Sequence, residues 1–373
     1  MKILYVATHD NPLDLNAGSG SDYQIYQALL RNGAEIKLIG PFKDSPSLFE
    51  KTYRKAHRLF SKRRFAKYSV AYLRQIGRAV DEAAASYKPD VVFTINTVSM
   101  AYCQNQYPLA CRLDTSLKGS HDQWPIFSEF EYRRMLTWEK SSITRSRLLI
   151  TYSEWSAGVL QEYYRIPREN ILVIPDPASL PAEVVPQQMD FYPKTMSPLH
   201  LLLVGREFDR KGIDIAIRTV ELLNESGVPA ELRIVGLKKE DGPHVRFMGL
   251  FNKTVESQLK EYVEQYKWAH FLLHPSRFDP GGIVASEAAA FGVPAITNTG
   301  GGMATTVKHE VSGYVLSRNS PAERYAAVIK KAMANPAEYI ELRRTTRQRY
   351  DAELNWNVSG KLLFQSIQKI VDG

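Results

Sequence analysis

The sequence predicts two α/β domains, each with a doubly wound parallel sheet. The chain has 373 residues, more than one hydrophobic core usually organises, so two domains are expected. Short apolar runs alternate with helical patterns in both halves, which is typical of parallel strands covered by helices on both faces. The alternation stops between Pro175 and Pro198, where prolines accumulate, and this stretch is interpreted as interdomain.

The two halves contain similar series of predicted elements. In the first half the predicted strands are Lys2–Ala7, Ala34–Ile39, Asp90–Ile95, Leu109–Leu113 and Leu148–Tyr152, and the predicted helices are Ser21–Arg31 and Val70–Ser86. In the second half the predicted strands are Leu199–Val204, Ala230–Val235, Val245–Gly249, Phe271–His274, Pro294–Thr297 and Gly313–Leu316. The predicted helices there are Ile213–Ser226, Val255–Tyr266, Ile283–Phe291, Glu323–Ala334, Ala337–Tyr350 and Val358–Val371. We therefore expect domains at 1–178 and 199–356, joined by a linker at 179–198.

Composition is that of an ordinary globular protein. Hydrophobic residues make up 44% and charged residues 24%, which excludes the disordered and collagen-like classes. The two cysteines, Cys103 and Cys111, are too few for a disulfide framework, so we expect buried thiols in a reducing compartment. The sequence shows no secretion signal and no apolar run long enough to span a membrane. A cytoplasmic protein is therefore expected, at most peripheral at the inner membrane face.

The strongest local signal is the segment 276–294. It follows a predicted strand, crosses a glycine-rich turn and enters a helix, and the free N–H groups at such a helix start favour an anion. Gly281 and Gly282 let a ligand approach the backbone closely. Asp279 and Glu287 flank this turn, and Glu287 is suited to accept hydrogen bonds from a hydroxylated group. The alternative is a plain glycine turn before a core helix.

With this motif, residues 199–335 resemble the C-terminal domain of glycosyltransferase family 4, the group 1 transferases. The resemblance implies the GT-B fold, in which two Rossmann-like domains face a central cleft, and a last segment, 357–373, that crosses back to the first domain. It also implies that Asp279 contacts donor-sugar hydroxyls and Glu287 the nucleotide ribose. The family usually has Glu at the position of Asp279 and often an aromatic residue at that of Gly281, so these departures concern the identity of the sugar.

A second motif, the segment 205–212, also follows a strand and opens a helix. The family carries Arg and Lys at the positions of Arg206 and Lys211 and binds the donor diphosphate with them, so the resemblance assigns that role here. Preorganised cations stabilise the charge that develops on a departing diphosphate. Arg offers a bidentate fork and Lys a point charge. The alternative is a pair of solvated surface charges.

Further glycines mark expected close approaches of the backbone to the donor. Gly301, within a run of three glycines, resembles the family's loop near the sugar and phosphates, although a flexible hinge is the alternative. Gly249 ends the strand around which the family holds its nucleobase. Gly18 and Gly20 resemble the loop that faces donor phosphate and acceptor. The expected backbone contacts of the donor are therefore Gly18, Gly20, Gly205, Gly249, Gly281, Gly282, Ile283 and Gly301.

The histidine with which many family members act on the acceptor side has no clear counterpart in this sequence. Asp114 is nearest in pattern, and His121 follows closely. Either side chain could contact the acceptor or the positive charge that develops on the sugar. The alternatives are a strand cap for Asp114 and a loop residue for His121.

The formal net charge of +8 is concentrated in one segment, Lys51–Lys67, which holds eight cations, several aromatic residues and no acid. A basic amphipathic helix suits an anionic membrane surface or an anionic acceptor. Nucleic acid attracts the same charge and is the rival partner, and we favour the membrane or anionic acceptor over it. A merely solvated helix usually balances cations with acids.

The sequence therefore predicts a retaining, metal-independent glycosyltransferase that needs no cofactor. The expected donor is a UDP- or GDP-linked hexose, and the expected acceptor is a glycan or a lipid-linked glycan, in the synthesis of a cell-surface polysaccharide or glycoconjugate. The alternatives are a nucleotide-sugar-binding protein without transfer activity and a nucleic-acid-binding protein that uses Lys51–Lys67.

Overall fold

A computed structural model describes residues 1–15, 17–44, 52, 68–191 and 197–372. The chain divides into two compact units: Met1–Ile174 with Ser359–Gly373, and Pro175–Val358. The stretch predicted as a linker is thus grouped with the second unit. Just before it, the N–H of Ala178 donates to the carbonyl of Leu354 at 2.9 Å. Leu180 is buried in a core of the same unit.

The first unit has one parallel sheet of six strands in the order β2-β1-β3-β4-β5-β6. Its strands are β1 Lys2–Val6, β2 Glu35–Ile39, β3 Val91–Thr94, β4 Leu109–Leu113, β5 Leu148–Thr151 and β6 Ile171–Val173. Its main helices are α1 Ser21–Arg31, α2 Val70–Tyr87, α3 Leu117–Gln123, α4 Glu129–Arg145 and α5 Glu154–Glu162.

The second unit repeats this plan with the strand order β12-β11-β10-β7-β8-β9, again parallel throughout. Its strands are β7 Leu199–Val204, β8 Ala230–Val235, β9 Val245–Gly249, β10 Phe271–Leu273, β11 Ala295–Asn298 and β12 Gly313–Leu316. Its helices are α6 Ile213–Glu225, α7 Glu256–Trp268, α8 Ile283–Ala290, α9 Met303–Thr306, α10 Ala322–Met333 and α11 Pro336–Glu353, and α12 Trp356–Asp372 ends the chain.

Both faces of the second sheet are buried, as the continuous apolar strands predict. Successive strand residues point to opposite faces. In β7, Leu201 and Leu203 belong to one core and Leu202 to another. All three side chains are fully buried. The sheet therefore carries helices on both sides, and the predicted fold class is confirmed.

The elements missing from the sequence prediction lie mostly between β4 and β6. They are α3, α4, α5 and the three-residue strand β6, and in the second unit the short helix α9 is also missing. Helix α4 has a largely polar sequence, EFEYRRMLTWEKSSITR, so apolar spacing gives little signal. Its start is fixed by Ser128, whose hydroxyl accepts a hydrogen bond from the N–H of Glu131 at 3.5 Å. Ser153 caps α5 in the same way, and such caps stabilise a helix start by about 1 kcal/mol.

The last helix, α12, belongs to the first unit from Ser359 onward. It packs closely on α1, because a Cβ atom added to Gly360 would lie 2.6 Å from the Cβ of Ala28. Cys103 and Cys111 are buried and unpaired with each other, as expected, and burial raises the pKa of both thiols to about 12.

Two predictions from the sequence concern contact with a membrane or with an anionic partner. In the described ranges, no helix combines the length and apolar character needed to cross a membrane. The basic segment Lys51–Lys67 lies outside the described residues except for Thr52. Its suggested contact with a membrane or an anionic acceptor therefore stays a prediction.

Candidate functional site

Three loops of the second unit meet at the carboxyl edge of its sheet. They follow β7, β10 and β11, which are neighbours in the sheet, and this edge is where open parallel sheets commonly bind ligands. The N–H of Arg277 donates to the carbonyl of Arg210 at 2.8 Å, which joins the first two loops. The N–H of Asp279 donates to the carbonyl of Gly300 at 2.9 Å, which joins the second to the third.

The loop after β7 brings a lysine to this edge. Gly205 leaves room for it, because a Cβ atom there would lie 2.6 Å from Cγ of Lys211. The ammonium of Lys211 lies 2.5 Å from Oδ2 of Asp279. Arg206, in the same loop, is exposed. The loop thus presents two paired cations, Lys211 and Arg210, the latter 2.8 Å from Glu207, and the exposed Arg206.

Asp279 is held from several directions. Its Oδ2 atom also lies 2.9 Å from Nε2 of His274, and its Oδ1 atom accepts a long hydrogen bond of 3.4 Å from the N–H of Gly281. Burial alone would raise the pKa of Asp279, but Lys211 and His274 outweigh it and hold the pKa well below the usual range. The carboxyl group is therefore ionised at neutral pH.

The glycine run after β11 lies directly against this acid. Gly301 has φ 90°, and a Cβ atom on it would lie 2.4 Å from the carbonyl oxygen of Asp279. A larger residue is therefore excluded for two independent reasons, backbone conformation and space. The N–H of Gly302 donates to the same carbonyl at 2.8 Å. The run is thus packed against Asp279, which argues against a flexible hinge, and its contact with a donor stays a prediction.

The second predicted acid, Glu287, is fully buried in α8 and belongs to a separate network. Its Oε1 atom accepts from the ammonium of Lys253 at 2.6 Å. Its Oε2 atom accepts from the hydroxyls of Tyr262 and Tyr266 at 2.6 and 2.8 Å. Burial and the nearby Glu287 raise the pKa of both tyrosines well above the usual range, so they remain hydroxyl donors.

The remaining predicted glycines of this unit lie at element ends. Gly282 immediately precedes α8, whose first residue is Ile283. A Cβ atom on Gly282 would lie 2.3 Å from the sulfur of Met303. Gly249 closes β9, and its carbonyl accepts from the N–H of Gly236 at 2.7 Å. Their contacts with a donor stay predictions.

In the first unit, the predicted acid Asp114 follows β4 and is tied to a buried cation. The guanidinium of Arg112 lies 3.0 Å from Asp114 and 3.4 Å from Asp22. It also stacks on the ring of Tyr152, 4.0 Å from the ring centre. The Asp114 side chain is 58% exposed, so the guanidinium fixes a carboxylate that solvent still reaches.

Asp22 lies beneath the glycine loop of this unit. Residues 17–20 form a turn in which Gly18 and Gly20 have φ 56° and 97°. A Cβ atom on Gly18 would lie 2.5 Å from the Asp22 carboxylate. Burial, with Asp114 and Asp10, raises the pKa of Asp22 to about 6, although Arg112 opposes the rise.

His121 is not brought to Asp114. It lies on α3, where its ring stacks on Tyr132 with ring centres 3.7 Å apart. Its Nε2 atom lies 3.4 Å from Glu129. The start of α3 is held by the buried Glu139, whose two carboxylate oxygens accept from the N–H of Leu117 at 3.0 and 2.9 Å. His121 is therefore a helix residue rather than a loop residue.

Sequence reasoning missed several residues that complete these clusters. They are His274, Lys253, Tyr262 and Tyr266 in the second unit, and Asp22 and Arg112 in the first. Arg112 could have been found, because a cation inside an apolar strand such as LACRL needs a buried partner. The two tyrosines, four residues apart, lie on one helix face. No feature of the sequence indicated that Lys253 would pair with Glu287.

Within the described ranges, no group of three or more His, Cys, Asp or Glu side chains is placed to hold a metal ion.

Comparison with known proteins identifies the family. The model for glycosyl transferases group 1 matches residues 185–349, and the model for glycosyltransferase family 4 matches residues 23–180. The amylovoran biosynthesis glycosyltransferase AmsK of Erwinia amylovora is 24% identical over 188 residues, 46% of this chain and 45% of AmsK. The chain likewise spans less than two thirds of the length of other curated glycosyltransferases that it matches.

Solved structures show the same fold over the whole chain. Sucrose-phosphate synthase from Thermosynechococcus elongatus aligns with a TM-score of 0.69 and 18% identity, covering 100% of this chain and 99% of that one. Anabaena HepE, solved with UDP-glucose, aligns with a TM-score of 0.63 and 17% identity over 100% and 99%. Both sheets are therefore those of GT-B proteins. Since the two family models together account for most of residues 23–349, the chain belongs to the group 1 glycosyltransferases of family 4.

Proposed function

We propose that the chain is a retaining glycosyltransferase that moves a hexose from a UDP- or GDP-linked donor to a glycan or lipid-linked acceptor. It would need neither a cofactor nor a metal ion. The observation that carries this proposal is the meeting of Lys211, Asp279 and Gly301 at one sheet edge. Membership of the family and the UDP-glucose complex of HepE support a nucleotide-sugar donor.

The donor end of the site would act mainly through charge. Breaking the bond between sugar and diphosphate leaves negative charge on the phosphate oxygens. Lys211 and the exposed Arg206 would stabilise that charge more in the transition state than in the ground state. Asp279 would orient the sugar through its hydroxyls, and Glu287, held by Lys253 and two tyrosines, would accept hydrogen bonds from the ribose.

The acceptor end would involve the first unit. Asp114 is the stronger candidate there, because its carboxylate is both fixed by Arg112 and exposed. A fixed, solvent-accessible carboxylate can accept a hydrogen bond from an acceptor hydroxyl. His121 is the weaker candidate, because its ring is stacked on Tyr132 and its Nε2 atom lies 3.4 Å from Glu129. The similarity to AmsK, which acts in amylovoran biosynthesis, favours a polysaccharide or its lipid-linked precursor.

The first test is thermal melting of the full chain with UDP, GDP, ADP and CMP, each with and without magnesium. A nucleotide at a hundred times its dissociation constant adds about 2.7 kcal/mol to the unfolding free energy, enough to raise the melting midpoint by a few degrees. We expect a metal-independent shift with UDP or GDP. If none of the four nucleotides shifts the midpoint, the proposed donor site is wrong.

The second test separates transfer from mere binding. We expect slow hydrolysis of UDP-glucose or GDP-mannose without acceptor, and its loss in Lys211→Ala. Lys260→Ala is the matched control, because Lys260 is an exposed cation paired with Glu256 on α7. Binding without hydrolysis or transfer would favour a nucleotide-sugar-binding protein. The anomeric configuration of the product, read by NMR, decides between retention and inversion.

A further inference from the structure

Two hydrogen-bond donors converge on one oxygen of Asp279. Lys211 Nζ lies 2.5 Å and His274 Nε2 lies 2.9 Å from the same Oδ2 atom. The Oδ1 atom has only the long contact with Gly281. The carboxylate therefore has two separate supports, and the loss of either one leaves the other in place.

The imidazole support is rigid and uncharged. His274 is fully buried directly after β10. Its N–H donates to the carbonyl of Ile296 at 2.8 Å, and its carbonyl accepts from the hydroxyl of Thr297 at 3.0 Å. Burial and the nearby Lys211 lower the pKa of His274, so the ring is neutral and its Nε2–H donates to Asp279. In the described part of the chain, Nδ1 has no hydrogen-bond partner, so the bond to Asp279 is the polar contact that orients the ring.

The lysine support is of the opposite kind. Lys211 lies on a loop, its side chain is 12% exposed, and its long stem allows the ammonium to move between neighbouring anions. While it is bonded to Asp279, its charge is largely neutralised. A phosphate that binds at this edge must therefore compete with Asp279 for the same ammonium.

We propose that Asp279 is an internal counter-ion that competes with the diphosphate of a nucleotide for Lys211, and that His274 is the positioning residue that retains Asp279 when Lys211 turns to the phosphate. The inference rests on the proposed function, since it concerns the same donor site. It adds that the empty and occupied sites differ in the partner of Lys211. It also assigns a role to the fully buried His274.

The test is calorimetric binding of UDP, GDP and ADP, and of the monophosphates UMP, GMP and AMP, to the full chain. Replacing the carboxylate in Asp279→Asn frees Lys211 and removes a negative charge next to the phosphates. We expect the diphosphate to bind about tenfold more tightly, and the monophosphate, which lacks the terminal phosphate, to change less than about twofold. Asp351→Asn is the matched control, because it removes an equal charge from a pair with Arg347 on α11 of the same unit.

The role of His274 is tested in two backgrounds. In His274→Phe the carboxylate depends on Lys211 alone, so the diphosphate should bind about fivefold more weakly. His274→Gln, which keeps a side-chain N–H donor, should restore part of the affinity. In Asp279→Asn the substitution His274→Phe should have no effect on binding, since the carboxylate that it supports is gone. A residue that only fills the core would weaken binding equally in both backgrounds.

Each result decides one of the two ideas. Unchanged or weaker diphosphate binding by Asp279→Asn and by a second variant, Asp279→Ser, with wild-type melting behaviour, would overturn the competition. Equal effects of His274→Phe in both backgrounds would overturn the positioning role. If wild type binds none of the nucleotides, the proposed function fails and this inference fails with it.

Discussion

Three buried carboxylates, one in the second unit and two in the first, differ in how many cations are paired with them. In the second unit Asp279 has its own ammonium, Lys211. In the first unit Asp22 shares the guanidinium of Arg112 with Asp114. Glu139, also in the first unit, accepts hydrogen bonds from Thr97, Leu117 and Tyr164, and in the part of the chain that the structure describes no cation is paired with it.

The pKa values of these three carboxyl groups rise as the number of cations available to each group falls. The pKa of Asp279 is held well below the usual range despite burial. Burial raises the pKa of Asp22 to about 6, against the opposing effect of Arg112. Burial raises the pKa of Glu139 to about 7, although its three hydrogen bonds lower it in part. Burial thus penalises all three carboxylates, and the supply of neighbouring positive charge decides which of them ionise readily.

The largest effect is expected from the removal of Lys211, the cation that is paired with Asp279. Lys211→Met leaves the buried Asp279 with only a neutral histidine, so the free energy of unfolding should fall by about 3–5 kcal/mol. Urea unfolding at pH 7 measures it. Lys260→Met, which removes an exposed cation, should change stability by less than about 0.5 kcal/mol. A loss below 1 kcal/mol for Lys211→Met would mean that Asp279 does not depend on this pair.

Glu139, the buried carboxyl group without a paired cation among the described residues, should make the free energy of unfolding fall as pH rises. A folded-state pKa above the unfolded value means that the folded protein binds the proton more tightly. The stability from Glu139 is therefore present below about pH 4.5 and lost as pH rises through about 7. The expected loss is on the order of 3 kcal/mol. Urea unfolding from pH 5 to 8 should show this slope in wild type and a flatter curve in Glu139→Gln. Parallel curves would contradict the assignment.

Removal of Arg112, the cation that Asp22 and Asp114 share, should have an intermediate and pH-dependent effect on stability. Arg112→Met should lower the free energy of unfolding by about 2 kcal/mol at pH 8, less than a dedicated pair, because Asp22 can take up a proton. At pH 5 the loss should be smaller, since Asp22 with a pKa of about 6 is then mostly protonated in wild type too. Nucleotide binding, which we propose for the second unit, should stay unchanged. An equal loss at both pH values would contradict this account.

The smallest effects should come from the hydroxyls around Glu287. Tyr262→Phe and Tyr266→Phe each remove one hydrogen bond to Oε2, so each should lower the free energy of unfolding by about 1 kcal/mol. The double substitution should cost more than the sum, because Oε2 then has neither tyrosine donor. Thermal unfolding measures the three variants. Tyr163→Phe, at a half-exposed tyrosine of the first unit, is the control.

The sequence predicted most strands and helices of the fold but few of the ion pairs and hydrogen bonds between its side chains. The bounds of β7 and β8 were predicted as the structure has them, and α8 was predicted one residue too long. β7 and α8 are strongly apolar, and β8 alternates buried apolar residues with charged ones, so the local pattern is enough to predict their bounds. Helices α3 and α4 were missed because α3 is short and both have largely polar sequences, which show no regular apolar spacing.

The sequence by itself determined two parallel α/β sheets and the local motifs around Asp279, Glu287 and Lys211, because strand patterns and glycine turns are properties of neighbouring residues. Only the tertiary structure decided which charges neutralise one another. Lys211 and Asp279 are 68 residues apart, and Asp22 and Arg112 are 90 apart. Such pairs form because the strand order brings segments that are distant in sequence close together in space. A buried carboxylate can then be stabilised only by the cations and donors that the fold has placed within reach.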